Sequence, residues 1–369
     1  MAATLACAAP CIAAPTAVHG WPVRAPAGSV HQGPGGGAVV VNQGLLDAFE
    51  YTVSAYRLDG RRRWANRKRA GCGNCDEGPQ PARRQADSTY GLIGVAGDDF
   101  WSVSQAGRRV RGCPGAVLPD GTCIATHSRL APPAFDPENA LVSRRGDAAL
   151  WSVVEPDLDW IPESGVAPFA VRDGAGNVYT AYGQGFPGAR FVVVDGMTGG
   201  VRARVPGSLD FIAATADSGL ALDVQTLVAI GPEGARRWSA VAGGRGFIDP
   251  QNVIVDRARG RIYVGRAGVD RRWTTTAFAA ASGAVLWRSP AARSVRPLSL
   301  AQGGLLLAGV RASGARSVQA LGLDGRARWT FGTAQDVVGA RELRGRTVVV
   351  STDRGDGSGP LWRIDPLRR

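Results

Sequence analysis

Lysine, histidine and methionine are nearly missing from this 369-residue sequence. The histidines are His19, His31 and His127 alone. His19 falls in an expected N-terminal strand and His31 in a Gly/Pro loop, so neither a histidine metal centre nor a Ser-His-Asp triad is indicated. No catalytic or metal-binding set is recognised. No apolar run approaches the roughly 20 residues that a helix needs to cross the hydrocarbon core, which predicts no transmembrane span. No charged or Pro/Ser-rich linker divides the chain, which points to one large repetitive domain over residues 18–369. Lys68 is the single lysine, so the net charge of +12 rests on arginine. The arginines are scattered, and only Arg61 to Arg69 forms a dense run. Nucleic-acid binding calls for one basic face with interleaved aromatics, and the sequence predicts no such partner.

Glycine and proline are plentiful, at 51 and 23 residues, and between them lie short runs rich in Val, Ala, Leu and Ile. This is the punctuation of many short strands. The opening residues, MAATLACAAPCIAAPTA, read as the tail of a signal peptide or as a disordered leader over residues 1–17. The first reading places the chain outside the cytoplasm, secreted or in the cell envelope.

One phrase recurs: an apolar strand, a tight glycine turn, and a strand closing on tryptophan. It reads AYRLDGRRRW to Trp64, VAIGPEGARRW to Trp238, AFAAASGAVLW to Trp287 and ALGLDGRARW to Trp329. The glycine stands four residues before each tryptophan, at Gly60, Gly234, Gly283 and Gly325. A degenerate copy, VVVDGMTGGVRARV, keeps Gly199 and puts Ala203 in the tryptophan's place. These copies follow one another at about 35 to 50 residues, the period of propeller blades. Val110 and Val153 fill the two slots between Trp64 and Ala203. Only three strands follow Trp329, and Trp21 precedes Trp64 by one period. The N-terminal strand is therefore expected to complete the last blade and remove the open edges. The expected fold is all-β, an eight-bladed β-propeller of four-stranded antiparallel blades, with seven blades the alternative. Trp21, Trp64, Trp238, Trp287 and Trp329 are read as packing wedges between blades.

The phrase resembles the pyrroloquinoline quinone (PQQ) repeat of the quinoprotein alcohol dehydrogenase-like superfamily, most closely around Asp195, Thr198 and Gly199 and around Ser282, Gly283 and Trp287. The resemblance runs from about Trp21 to Asp365 and implies the propeller fold. Enzymatic members hold the quinone above a vicinal Cys-Cys disulfide and bind calcium through Glu, Asn and Asp. This sequence has no adjacent cysteine pair, so neither PQQ nor calcium is expected and no cofactor residue is carried over.

Four cysteines follow the leader: Cys72, Cys75, Cys113 and Cys123. In an exported chain they read as disulfides, Cys72 to Cys75 and Cys113 to Cys123, although crossed pairing is equally legal and a four-thiolate zinc site is the rival. A c-type haem would need His after Cys75, where Asp76 stands. Two insertions interrupt the repeat, near residues 66–88 and 126–139. The first carries Arg67, Lys68, Arg69, Arg83 and Arg84, a candidate binding loop for an anionic partner. Acidic pairs such as Asp98 and Asp99 read as loop solvation. The expected function is a noncatalytic binding or scaffold protein, monomeric, for a protein or anionic envelope polymer. The alternative is an enzyme on the same fold, a PQQ-dependent dehydrogenase or a polysaccharide-acting hydrolase or lyase.

Overall fold

Each repeat of the sequence folds into one antiparallel sheet, because its runs of Val, Leu, Ile and Ala alternate in burial and its glycines supply the tight turns. The computed structural model describes residues 15–18, 21–43, 50–69, 90–94, 100–111, 113, 116–118, 120–129, 138–146, 148–154, 170–182, 190–207, 209–223, 226–241, 246–268, 272–289, 294–310 and 313–366. Among them are eight sheets, numbered here in chain order. Sheet 1 spans Ser29–Gln32, Ala38–Gln43, Glu50–Tyr56 and Arg62–Arg69. Sheet 2 has three strands, Tyr90–Gly94, Phe100–Val103 and Arg109–Arg111. Sheets 3 to 7 are four-stranded meanders that start at Ala116, Val171, Asp210, Gly246 and Ser294.

Sheet 8 holds Asp336–Glu342, Val348–Asp353 and Ser358–Asp365, and it takes its outer strands from the other end of the chain. Thr16 and Ala17 pair antiparallel with Asp365 and Ile364, and Val23 to Pro26 pair with Leu361 back to Ser358. Pro22 and Pro26 are compatible with this position, since the outermost strand donates fewer ladder hydrogen bonds.

Neighbouring sheets pack face to face on apolar clusters. Leu220, Leu227 and Ala229 of sheet 5 meet Ile262, Val264 and Phe278 of sheet 6, all buried. Tyr263 and Ala277 of sheet 6 meet Leu305, Leu307 and Leu321 of sheet 7. Trp21, Val30, Val40, Val349 and Leu361 join sheets 8 and 1. Similar clusters join sheets 1 and 2, 3 and 4, 4 and 5, and 7 and 8.

The tryptophans lie between sheets. Trp64, Trp238 and Trp287 each sit under the last hairpin turn of the next sheet, where a Cβ on Gly107, Gly283 or Gly325 would fall 2.6 to 2.8 Å from the indole. All three glycines have positive φ, so the turn needs glycine twice over, for its backbone and for the space. The indole N–H groups donate to the same turns: Trp64 to the Gln105 carbonyl at 3.2 Å, Trp238 to Ala280 at 2.9 Å and Trp287 to Leu323 at 3.1 Å. Trp21 does likewise to Leu58 of sheet 1 at 3.2 Å.

One reading of the sequence needs correction. In sheet 3 the wedge is Trp151, which lies under Gly199, whereas Val153, expected there, is an ordinary core residue opposite Leu141. The insertions expected near residues 66–88 and 126–139 lie largely outside the described residues. Asn66 to Arg69 continue the last strand of sheet 1 opposite Val53 to Glu50, because that third strand runs far enough to pair them. Thr126 to Arg129 likewise pair with Leu141 to Glu138.

Candidate binding groove

Of the residues expected to form a binding loop, Arg67, Lys68 and Arg69 stand on the edge strand of sheet 1. Arg83 and Arg84 lie outside the described residues, as do Cys72 and Cys75. Cys113 and Cys123 form a disulfide that brackets the first hairpin of sheet 3.

A different basic site emerges where the first hairpin turns of sheets 6, 7, 8 and 1 meet. Gln302, in the tight turn between Ser294–Ala301 and Gly304–Val310, ties three sheets together. Its amide N–H donates to Glu342 Oε2 at 2.7 Å, and its side-chain oxygen accepts from Arg346 Nε at 2.9 Å. Its carbonyl accepts from Arg259, whose guanidinium also pairs with the buried Asp256 at 2.8 Å. Hydrogen bonding to Asp256 raises the Arg259 pKa further above its ordinary value. The Arg344 amide donates to Gln32 Oε1 of sheet 1 at 3.1 Å.

The sheet 8 turn has an unusual backbone. Leu343 N–H closes it on the Thr347 carbonyl at 2.8 Å, with φ of 83° at Gly345 and 63° at Arg346. Among the described residues Arg346 is the one non-glycine with positive φ. An L-residue in the left-handed region costs on the order of 1 kcal/mol, and such strain gathers at functional sites. Here it turns the Arg346 guanidinium toward Gln302 across the cleft between sheets 7 and 8.

That cleft holds two adjoining cavities. The inner one, about 530 Å³, is lined by Gln32, Gln302, Arg341, Glu342, Arg344 and Arg346. The outer one, about 560 Å³, has an apolar floor of Leu306, Leu321, Val348 and Trp329 and reaches Arg328 and Pro366. Arg341, Arg344 and Arg346 outnumber Glu342, whose carboxylate already accepts the Gln302 amide, while Arg328 pairs with Asp324 at 3.4 Å. The groove therefore favours an anion, and arginine's planar fork suits carboxylate or phosphate. On the neighbouring turns Arg257 reaches from sheet 6 to the Ala214 carbonyl at 3.0 Å and to the Arg172 carbonyl, and burial lowers its pKa.

The buried acid chemistry is structural. Asp173, fully buried, accepts from Asn177 N at 2.9 Å, Asn177 Nδ2 at 2.8 Å and the Tyr179 hydroxyl at 2.9 Å, so its oxygens are the acceptors of its own hairpin. Among the described residues no group of three His, Cys, Asp or Glu side chains lies close enough to hold a metal. No helix among the described residues is long and apolar enough to cross a membrane.

Sequence reasoning missed Gln302, Arg344 and Arg346. The only signal was Leu-Arg-Gly-Arg-Thr between two apolar runs, which reads as an ordinary glycine turn and does not reveal that an arginine shares the left-handed conformation.

The fold is that of β-propellers. The chain superposes on quinohemoprotein alcohol dehydrogenase from Comamonas testosteroni with a TM-score of 0.52 and 11% identity, over 93% of this chain and 75% of that one. BamB from Moraxella catarrhalis gives a TM-score of 0.49 at 14% identity, over 95% and 99% of the two chains. The Pan2 WD40 domain from Neurospora crassa gives 0.45 at 11%, over 93% and 90%. At these identities the first likeness carries the fold alone. No protein-family profile matches the chain, and no curated protein matches it either.

Proposed function

We propose that the eight sheets close into an eight-bladed propeller that acts outside the cytoplasm as a noncatalytic binding scaffold for an anionic partner. The observation that carries this reading is the arginine-lined groove between sheets 7 and 8, where Arg341, Arg344 and Arg346 share the cleft with one carboxylate, Glu342, which is committed to the Gln302 amide. The pairing of N-terminal strands with Ser358–Asp365 supports ring closure, and the Cys113–Cys123 disulfide supports an oxidising compartment.

Calorimetric titration of the purified full chain with a poly-glutamate peptide tests the reading. Binding should weaken as salt is added. It should fall at least tenfold in the double variant Arg344→Glu/Arg346→Asn, in which asparagine tolerates the positive φ. Equal binding by the double variant would move the site elsewhere. Dye reduction with alcohols or sugars after reconstitution with PQQ and calcium would replace the scaffold reading with an enzymatic one.

A further inference from the structure

Trp64, Trp151, Trp238 and Trp287 are each covered by a glycine turn of the following sheet. Trp329 of sheet 7 holds the same place in the repeat, opposite Ala320 as Trp287 stands opposite Ala277. The sheet that follows it takes its outer strands from the N-terminus, so no hairpin turn joins Ser358–Asp365 to its outer partner. Among the described residues no turn lies over Trp329, and its indole N–H is given no carbonyl of the kind that Trp21, Trp64, Trp238 and Trp287 receive. The outer cavity of the groove, about 560 Å³, opens at this place, with Trp329, Leu306 and Leu321 as its floor and Arg328 and Arg346 at its lips.

The turns that fill the equivalent places show what fits. Leu58-Asp59-Gly60 gives its leucine carbonyl to Trp21, and Leu323-Asp324-Gly325 gives its own to Trp287, with Gly325 left-handed over the indole. In each the aspartate stays at the surface and accepts an amide of its own turn, from Arg61 at 2.9 Å and from Arg326 at 3.1 Å, and Asp324 also pairs with the exposed Arg328 at 3.4 Å.

We propose that the cavity over Trp329 receives a β-turn from a partner protein, an acidic turn with glycine in the left-handed position, of the Leu-Asp-Gly kind this chain lays over its own tryptophans. The turn's carbonyl accepts the Trp329 N–H, its glycine lets the backbone approach the indole, and its aspartate faces Arg346 and shares Arg328 with Asp324. The inference rests on the binding-scaffold reading and names the partner's chemistry.

Fluorescence anisotropy of a labelled cyclic hairpin carrying Leu-Gly-Leu-Asp-Gly-Arg-Ala, titrated with the full chain, tests it. The parent hairpin should bind, and versions with valine for the central glycine or lysine for the aspartate should bind at least tenfold more weakly. Trp329→Phe keeps the ring and removes the N–H, and should weaken the parent at least threefold. Arg328→Gln should weaken it further while leaving the melting temperature near that of the parent protein, since the exposed Arg328–Asp324 pair contributes little to stability. A valine-turn hairpin that binds as well as the glycine one overturns the proposal. So does parent binding that appears only after residues 1–14 or residues 367–369 are removed, which would assign the cavity to this chain's own termini. If poly-glutamate binding depends on Arg344 and Arg346 but no hairpin binds, the turn-receptor proposal falls and the scaffold reading stands. Hairpin binding without poly-glutamate binding upholds the proposal and removes the broader anionic reading.

Discussion

Trp287 and Gly325 are joined twice: the indole N–H donates to the carbonyl two residues before the glycine at 3.1 Å, and the glycine's missing Cβ would lie 2.8 Å from the ring. The pair fastens sheet 6 to sheet 7 through one aromatic residue and one left-handed turn.

Gly325→Ala should therefore be costly in two ways, through the positive φ of 75° and through contact with the indole. Gly314→Ala provides the control, since its φ is 79° but nothing lies within 4 Å of the new methyl. Gly314→Ala should cost about 1 kcal/mol from backbone strain alone, and Gly325→Ala clearly more. Urea unfolding of both variants checks the difference; equal losses would mean that the indole yields freely.

Trp287→Ala should destabilise by about 3 kcal/mol, at the low end for large aromatics because the side chain is half-buried. Trp287→Phe should lose about 1 kcal/mol, the contribution of the N–H bond. Thermal melts of both variants against wild type separate the packing from the hydrogen bond.

The repeat was legible because its two requirements leave traces in single residue types: tryptophan for the wedge, glycine for the turn above it. The pairing of the N-terminal strand with sheet 8 followed from Trp21 standing one period before Trp64. In sheet 3 Gly146 and Trp151 are spaced one residue further apart than in the other copies, so the repeat pattern does not single out Trp151 as the wedge. The groove was not legible. It depends on Gln302, Glu342 and Arg346 being brought together from two adjacent turns, and nothing in the repeat pattern marks glutamine or arginine there as different from solvated turn residues. The dense run of Arg67 to Arg69 drew attention instead, although extended pairing with Glu50 to Thr52 places it on a strand.

Removal of residues up to Arg24 should lower the melting temperature by many degrees. It strips Trp21, which is buried and donates to Leu58, and takes Thr16, Ala17, Val23 and Arg24 from the strands paired along Ser358–Asp365. Differential scanning calorimetry reads the shift, and an unchanged transition would contradict a ring closed by that strand.

The Cys113–Cys123 bridge has a sequence separation of 10 residues. A loop of that size constrains the unfolded chain by about 2 to 3 kcal/mol on the chain-entropy account. Replacing both cysteines with alanine should reduce stability by that amount in denaturant titrations, and a bridge closed only in the folded state by chance contact would show no loss.

Tyr179 gives a pH dependence of defined sign. Its hydroxyl is pushed well above the ordinary tyrosine value, first by burial and then by the Asp173 carboxylate that it donates to. The unfolded side chain ionises near pH 10 and the folded one does not, so its contribution is fully present below about pH 10 and declines above it. Wild type should lose stability more steeply than Tyr179→Phe as pH rises from 9 to 11, measured by urea midpoints at each pH. Parallel slopes would show that the hydroxyl ionises equally in both states.

The most direct test of a binding scaffold centred on the groove is hydrogen–deuterium exchange of the full chain with and without saturating poly-glutamate peptide. Protection should rise in the turns at Leu300 to Gly304 and Arg341 to Thr347, which line the groove, and stay unchanged along Arg62 to Arg69. Protection confined to Arg62 to Arg69, or absent from both regions, would contradict it.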